Sequence, residues 1–405
     1  MAARIIPILP QQALAALPDN PAAQLKAPPP LALYIHFPWC VKKCPYCDFN
    51  SHAVRDNGIP DAAYVDALLQ DLQATLPQVW GRRVISIFIG GGTPSLIPPE
   101  QLNRLLTGVR TLLPLDPEAE ITLEANPGTV EAGRFAEFRG AGVTRVSLGI
   151  QSFDDVQLER LGRIHDSREA RAAIELAARN FDTWNIDLMY ALPQQTLAQA
   201  ESDLAQALSF APPHLSCYHL TLEPNTLFHR APPPLPDEDA SADMQDMMET
   251  RLAEAGYRHY ETSAFAKPGH RCRHNLNYWS FGDYIGIGAG AHGKLTSHEG
   301  VRREMRHKHP NAYLDAARSG NFVQDANFVA AADLPFEFMM NALRLLDGVP
   351  RAQLELTTGL PLASIEKELG VARTRGLLEI DADRIRPSEH GRRFLNDLLE
   401  IFLAK

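Results

Sequence analysis

The sequence lacks any long apolar run. No window reaches the roughly 18 uninterrupted apolar residues of a membrane-crossing helix, although 45% of the 405 residues are hydrophobic. It also lacks the basic excess that is typical of nucleic-acid-binding proteins, because the formal net charge is −10 and the basic cluster at 301–310 is short. These absences predict a cytoplasmic globular protein whose main partner is not a nucleic acid.

Cysteine is scarce as well, with five residues in the whole chain. An odd number of thiols does not indicate a disulfide framework and fits a reducing compartment. Three of the five follow one predicted strand at C-x₃-C-x₂-C spacing: Cys40, Cys44 and Cys47. Thiolates at such spacing are ligands for an iron–sulfur cluster, zinc or copper(I).

The ligand count distinguishes these metals. A structural zinc site needs four ligands, and the fourth would have to come from a distant or weaker candidate: His36, His52, Cys217 or Cys272. A cubane cluster on three cysteines instead leaves one iron open to an outside ligand. The spacing therefore favours a cluster, and a zinc knuckle is the alternative.

From residue 31 onward, short apolar runs alternate with amphipathic helical patterns. The runs predict strands at 31–37, 84–90, 120–126, 144–150, 184–190 and 215–222. Helical patterns between them are found at 61–76, 168–179 and 196–208. Six strand–helix repeats predict a parallel sheet with right-handed crossovers. The span of these repeats suits a partial (β/α)₆ TIM-type barrel in an α/β protein, and a doubly wound open sheet is the alternative.

The rest of the chain differs in pattern from the barrel. We expect four segments: a mobile Pro/Ala-rich leader (1–30), the barrel (31–230), a linker of irregular structure that carries a ligand-binding motif described below (231–325), and a mostly helical C-terminal domain (326–405). Helical patterns at 336–346, 361–369 and 389–403, with a hairpin at 377–388, predict a winged-helix-like domain. Since no helix in it is strongly basic, we expect packing or partner docking rather than DNA binding.

The cysteine spacing, with the aromatic Tyr46 before the last cysteine, resembles the signature of the radical S-adenosylmethionine (SAM) superfamily. The resemblance implies a [4Fe–4S] cluster held by Cys40, Cys44 and Cys47. It also implies that SAM chelates the fourth iron through its amino and carboxylate groups. The cysteines lie at the C-terminal end of the first strand, which is the face where barrel active sites are found.

Glycines and polar residues follow later strands at the same end. Gly90–Gly92 allow close approach of the backbone to a ligand. Nearly the whole chain is similar to the coproporphyrinogen-dehydrogenase-like branch of radical SAM proteins. That similarity implies contacts to SAM from nine residues: Tyr34, Tyr46, Gly91, Gly92, Thr93, Glu124, Gln151, Arg163 and Asp187.

Two further features separate members of this branch. The HemN enzymes, which oxidise porphyrinogens, carry another cysteine two residues after the third, where this chain has Phe49. The stretch "HNLNYW" resembles the H-N-x-x-Y-W heme-binding motif of the HemW heme chaperones. The resemblance implies a heme site with an axial imidazole and stacked aromatic rings, formed by His274, Asn275, Tyr278 and Trp279.

The glycine-rich stretch at 282–295 resembles two nucleotide-binding motifs. Gly288, Gly290 and Gly293 satisfy G-x-G-x-x-G, but no helical pattern follows them. The same stretch approaches a phosphate loop, but Leu295 replaces the Ser or Thr that binds magnesium. We therefore expect a tight loop that brings His292 or its backbone near the barrel mouth.

The resemblance predicts a heme chaperone without coproporphyrinogen oxidase activity, in which the cluster and SAM support or regulate heme transfer. Its partners would be heme and an acceptor such as a membrane-associated respiratory hemoprotein, and a homodimer stays open. One alternative is an enzyme, oxygen-independent coproporphyrinogen III dehydrogenase. Another is a DNA-binding regulator, which the acidic charge disfavours.

Overall fold

The computed structural model describes residues 20–56, 58–129 and 133–404. Strands of its first half are β1 (Leu31–Phe37), β2 (Trp39–Cys40), β3 (His52–Ala53), β4 (Val84–Gly91), β5 (Leu115–Ala125), β6 (Arg145–Gln151), β7 (Thr183–Tyr190) and β8 (His214–His219). The helices between them are α1 (Asp61–Thr75), α2 (Pro99–Leu112), α3 (Arg134–Ala141), α4 (Asp155–Arg160), α5 (Ser167–Asn180) and α6 (Leu197–Ser209).

The second half contributes more strands to the same sheet. They are β9 (Arg258–Glu261), β10 (Ala264–Ala266), β11 (Asp283–Ile287), β12 (His292–Ser297), β13 (Gly300–Arg306) and β14 (Val323–Phe328). Helices of this region are α7 (Leu227–Arg230), α8 (Glu238–Glu254), α9 (Arg273–Trp279) and α10 (Pro310–Ala316).

Within the described residues, the main sheet has the strand order β14-β13-β12-β11-β1-β4-β5-β6-β7-β8-β10-β9. Strands β11, β1 and β4 to β8 run parallel, and antiparallel strands extend both ends. The predicted strands follow one another in sequential order, as in a barrel, whereas a doubly wound sheet reverses its order at a switch point. The predicted (β/α)₆ unit is therefore confirmed, and β11 adds a parallel strand beside β1.

Two predicted segments differ from expectation. The segment 231–325, expected to be irregular, contains α8 to α10 and most of the strands that extend the sheet. Residues 1–19 of the predicted leader lie outside the described residues. Residues 20–22 pack on the protein, because Pro21 and Ala22 are buried and Asn20 Nδ2 donates to the backbone oxygen of His298 (2.7 Å).

The main core lies between the parallel strands and the helices that cover them. Every residue of β1 except Tyr34 is buried, which is the pattern of a strand covered on both faces. Apolar faces of the surrounding helices close this core, through residues such as Leu68, Leu105 and Ile174. None of the helices in the described ranges has the length and apolar character needed to cross a bilayer.

The C-terminal region forms a second core. Its elements are α11 (Leu334–Ala342), β15 (Val349–Pro350), α12 (Gln353–Thr358), α13 (Glu366–Thr374), β16 (Leu378–Ile380), β17 (Arg384–Pro387), α14 (Glu389–Arg393) and α15 (Leu395–Glu400). The predicted hairpin is confirmed as β16–β17, and β15 pairs with its other edge. The helix predicted over 389–403 is interrupted at Phe394, which separates α14 from α15.

Candidate functional site: the cysteine loop and the barrel mouth

The three clustered cysteines lie on the loop after β1. The loop is closed by the short parallel pair β2–β3, in which Trp39 is opposite His52. The backbone N–H of Val54 donates to the oxygen of Cys40 (2.8 Å). Cys40, Cys44 and Cys47 are half-buried free thiols, and all three line one cavity of about 350 Å³ at the barrel mouth. The loop therefore presents its thiols to a common space.

A glycine turn after β4 is fixed against this loop. The N–H groups of Gly92 and Thr93 donate to backbone oxygens of residues 37 and 39, both at 2.7 Å. Gly91 has a φ of +112°, which disfavours any side chain. A Cβ on Gly92 would lie 2.5 Å from the oxygen of Trp39. Only glycine permits the two loops to approach this closely.

Two carboxylates line the cavity, Glu124 from β5 and Asp187 from β7, on either side of β6. Oε2 of Glu124 accepts the N–H of Gly91 (3.1 Å). Asp187 accepts from the Oγ of Ser147 (3.1 Å) and the Nδ2 of Asn185 (2.7 Å). Burial and the charge of Asp187 raise the pKa of Glu124 to about 7. Burial also raises the pKa of Asp187, so both carboxyls hold a proton more tightly than exposed ones do.

Arg163 connects the cysteine loop to the end of β6. One of its terminal nitrogens donates to Sγ of Cys44 (3.8 Å), and the other donates to the oxygen of Gly149 (2.6 Å). Gln151, in the last position of β6, has a φ of +69°, which a non-glycine residue rarely adopts. A register shift between Gly149 and Gln151 accompanies this conformation. The strand end is thus bent where it borders the cavity.

Most of the predicted SAM-contacting residues line this cavity together with the cysteines: Tyr46, Gly91, Gly92, Thr93, Glu124, Gln151, Arg163 and Asp187. Tyr34 instead lines a neighbouring cavity of about 600 Å³. Its hydroxyl is hydrogen-bonded to Nδ1 of His36 (2.9 Å). The two cavities share the wall formed by Cys47, Asp48, Phe49 and Ser51, so Tyr34 lies behind the cysteine loop.

The donor set fits a cluster better than a single metal ion. In the described part of the chain, no group of three or more His, Cys, Asp or Glu side chains converges as a mononuclear site requires. A cubane cluster needs its cysteine sulfurs around a common cube and not on one ion, because each cysteine binds a different iron. Burial raises the pKa of the Cys40 and Cys47 thiols, so metal binding would displace protons from them.

The predicted heme residues lie on α9, and they face different surroundings. His274 is buried, with Nδ1 hydrogen-bonded to Oγ of Ser86 (3.1 Å). Its ring stacks on Phe88 at 5.1 Å and meets Tyr278 edge-on at 4.6 Å. Nε2 is enclosed and has no hydrogen-bond partner among the residues that the structure describes. Burial, with the charge of Arg145, lowers the pKa of His274 to about 3.

The other motif residues diverge from His274. Asn275 lines the cysteine cavity, whereas Tyr278 lines the neighbouring cavity that contains Tyr34. The guanidinium of Arg344 lies over the ring of Trp279, and its Cζ is 4.3 Å from the ring centre. The motif therefore connects two cavities and does not form one converging ligand set.

Sequence reasoning missed the polar interior of the barrel below the predicted site. These residues alternate along β6, β7 and β8 and line the cysteine cavity: Arg145, Ser147, Asn185, His214, Ser216 and Tyr218. Alternation by two places side chains on one face of a strand. In parallel strands otherwise buried on both faces, such polar alternation is the signal that could have identified them.

Residues 288–291 of the glycine-rich stretch form a turn between the antiparallel strands β11 and β12. β12 begins at His292 directly after this turn, so a strand follows the glycines in place of a nucleotide-binding helix. A Cβ on Gly286 would lie 1.9 Å from the oxygen of His292, and one on Gly290 would lie 2.2 Å from Nδ2 of Asn50. The turn thus holds His292 next to the segment that follows the cysteines.

The fold and the cysteine loop define a radical SAM protein. The family model described as "Radical SAM superfamily" matches residues 34–207, and the model "HemN C-terminal domain" matches residues 329–394. Among solved structures, HemN, the coproporphyrinogen III oxidase of Escherichia coli, is similar with a TM-score of 0.78. The alignment covers 96% of this chain and 92% of that one at 23% identity, which supports the shared fold.

Two named relatives show which family of radical SAM proteins this chain is similar to. The chain is 52% identical over 379 residues to "Heme chaperone HemW" of Escherichia coli (strain K12), covering 93% of this chain and 99% of the relative. It is 50% identical over 383 residues to the protein of the same name from Haemophilus influenzae, with the same coverage of both chains. This chain belongs to the HemW family.

Proposed function

We propose that this protein is a heme chaperone, which binds heme and transfers it to an acceptor hemoprotein. The observation that carries the proposal is the near-full-length identity of 52% to a relative named heme chaperone. Two features of the chain support it. Phe49 occupies the position of the further cysteine that the porphyrinogen-oxidising enzymes carry, and α9 presents Asn275 and Tyr278 to the two adjoining cavities.

The proposal includes a [4Fe–4S] cluster and SAM as resident cofactors of the first cavity. Cys40, Cys44 and Cys47 would hold the cluster, with Arg163 fixing the loop through Cys44. When bound, such a cluster supplies one-electron chemistry. Glu124 and Asp187 would place carboxylates near the cationic groups of SAM, and this would favour their ionised forms.

The acceptor in this proposal is a respiratory hemoprotein, and the chaperone would act in the cytoplasm. A homodimer would allow exchange between a soluble carrier and a membrane-associated acceptor. The chemistry of heme gives the reason for a carrier: a flat, apolar iron complex needs protection from water until its acceptor supplies an axial ligand.

An anaerobic experiment on the cluster-reconstituted full chain separates this function from the enzymatic alternative. One arm titrates heme and follows absorbance. The other supplies coproporphyrinogen III, SAM and a reductant, and measures vinyl product and SAM consumption. We expect saturable heme binding and no porphyrinogen turnover. Turnover together with unsaturable heme binding would identify the chain as a dehydrogenase and reject the chaperone.

A further inference from the structure

A cleft between α8 and β9 on one side and β17 and α14 on the other is lined mainly by arginine. Its volume is about 710 Å³, within the usual range of ligand pockets. We call it the arginine cleft, after six of its lining residues: Arg258, Arg271, Arg384, Arg386, Arg392 and Arg393. Three carboxylate side chains share the lining: Glu249, Asp347 and Glu389. The lining therefore has an excess of positive charge, although the formal net charge of the chain is −10.

Ion pairs between the two sides hold the cleft in shape. Nη2 of Arg392, on α14, lies 2.7 Å from Oε2 of Glu249, on α8. Nη2 of Arg393 lies 3.0 Å from Oδ1 of Asp246 on the same helix. These contacts join segments that are more than a hundred residues apart in the sequence. The walls of the cleft are thus in place before any ligand binds.

Three guanidinium groups meet at residues 347 and 348. Arg258 and Arg271 share the carboxylate of Asp347, at 2.7 and 3.1 Å. Arg384 donates from Nε to the backbone oxygen of Asp347 (2.7 Å) and from Nη2 to that of Gly348 (2.5 Å). Among the described residues Arg384 forms no ion pair with a carboxylate. One carboxylate therefore serves three cations, and the positive charge at this end of the cleft is not balanced.

The surroundings of Asp347 show how this cleft binds a carboxylate. Each of its two oxygens accepts from a different guanidinium. Arginine suits this task, because its planar group carries five N–H donors in a fixed arrangement. Arg384 uses only two of its nitrogens on backbone oxygens. The donors that remain can receive the carboxylates of a ligand in the same way.

The spacing of charges in the cleft distinguishes between kinds of anion. Glu249 and Glu389 lie among the arginines and would repel a compact polyanion such as polyphosphate. An extended peptide can instead place its carboxylates against guanidiniums and neutral residues against the two glutamates. In the part of the chain that the structure describes, no aromatic side chain lines the cleft, so nothing in it favours a nucleobase. A concave surface also fits a protruding segment better than a flat bilayer.

We propose that the arginine cleft binds an extended acidic segment of a partner protein. The half-exposed Arg386 and Arg393 would contact the outer carboxylates of this segment. Since the chain as a whole is acidic, its other surfaces repel such a partner and direct it to the cleft. This inference goes beyond the proposed function, because it depends on neither heme nor the cluster.

The test is fluorescence anisotropy with the purified full chain and a labelled peptide of alternating Glu and Gly residues. Arg258→Gln/Arg393→Gln removes two cleft charges whose own ion pairs are exposed. Arg139→Gln/Arg179→Gln is the matched control, which removes the same charge from exposed ion pairs on α3 and α5. We expect saturable binding to the parent at low salt, weakened by added salt. Affinity should be roughly threefold to tenfold lower in the cleft variant and unchanged in the control.

A merely structural role gives a different result. It would lower the urea midpoint of the cleft variant and leave the affinity for the peptide unchanged. Arg258→Lys/Arg393→Lys keeps the charge and loses the planar group, so its affinity should lie between those of the parent and the Gln variant.

Absence of saturation at low salt, or an equal loss in the cleft variant and the control, would overturn the inference. Cosedimentation with phosphatidylglycerol vesicles that the cleft variant loses, without saturable peptide binding, would overturn it in favour of a membrane surface. Stronger binding of tripolyphosphate than of the peptide at the cleft would overturn it in favour of a compact anion. Heme is not used in this experiment, so a failure of heme binding rejects the proposed function and leaves this result standing.

Discussion

Glu124 gives a quantitative prediction that depends on the geometry of the first cavity. Its carboxyl is buried beside Asp187, and its pKa of about 7 compares with an ordinary value of 4.5. Between these two values the folded chain holds the proton more tightly than the unfolded chain. The contribution of Glu124 to the free energy of unfolding should therefore fall as pH rises through this window and should be level outside it.

The magnitude follows from the size of the shift. A difference from 4.5 to about 7 corresponds to about 3 kcal/mol, and this is an upper limit because the carboxyl borders an open cavity. Glu124→Gln removes the titration, while its side-chain oxygen can still accept the N–H of Gly91. The parent chain should lose up to that amount of stability relative to the variant between pH 4.5 and 7.

The assay is urea unfolding of the chain before cluster assembly, under reducing anaerobic conditions, with tryptophan fluorescence as the signal. Glu118→Gln is the matched control, since Glu118 is an exposed carboxylate on the same strand. A parent-minus-Glu124→Gln difference that stays constant from pH 4.5 to 8 would refute the claim that burial holds a proton on this carboxyl.

Two more substitutions test the fixed parts of the fold by urea unfolding. Gly91→Ala should cost about 1–3 kcal/mol from the backbone alone, and more from contact, because a Cβ would lie 2.5 Å from the ring of His36; a neutral effect would contradict the glycine argument. Arg306→Met should cost about 3–5 kcal/mol, since it leaves the buried Asp71, 2.9 Å from its Nε, without its cation. Arg302→Met, at a more exposed position of the same strand, should cost less than about 1 kcal/mol, and equal losses in both variants would count against burial as the cause.

The parts of the fold that sequence reasoning predicted depend on local interactions. The predicted strands have near-continuous apolar runs, and α5 and α6 begin at capping boxes. In these boxes Asp166 pairs with Glu169, and Thr196 pairs with Gln199. Such contacts join residues three apart, so they are visible in a single stretch of sequence. The cysteine spacing is local in the same way.

The strands that extend the sheet were not predictable by the same rules. β14 is almost entirely exposed, and its sequence "VQDANF" has no hydrophobic alternation. It is a strand because β13 offers an unpaired edge, with Arg302 opposite Phe328 and Arg306 opposite Val323. β11 has only five residues and lies beside β1, about 250 positions away in the sequence. Neither segment carries a sequence pattern that identifies the other as its partner in the sheet.

Helix geometry explains why the heme motif could not be interpreted from its residues alone. With 3.6 residues per turn, side chains four apart share a face, and adjacent ones point about 100° apart. His274 and Tyr278 form one such pair and are in contact, whereas Asn275 and Trp279 lie on another face. The four motif residues therefore cannot all contact one ligand from one side of the helix; only side chains of one face can do so together. His274 is the buried member of that pair, and Tyr278 is the member that lines the neighbouring cavity that contains Tyr34.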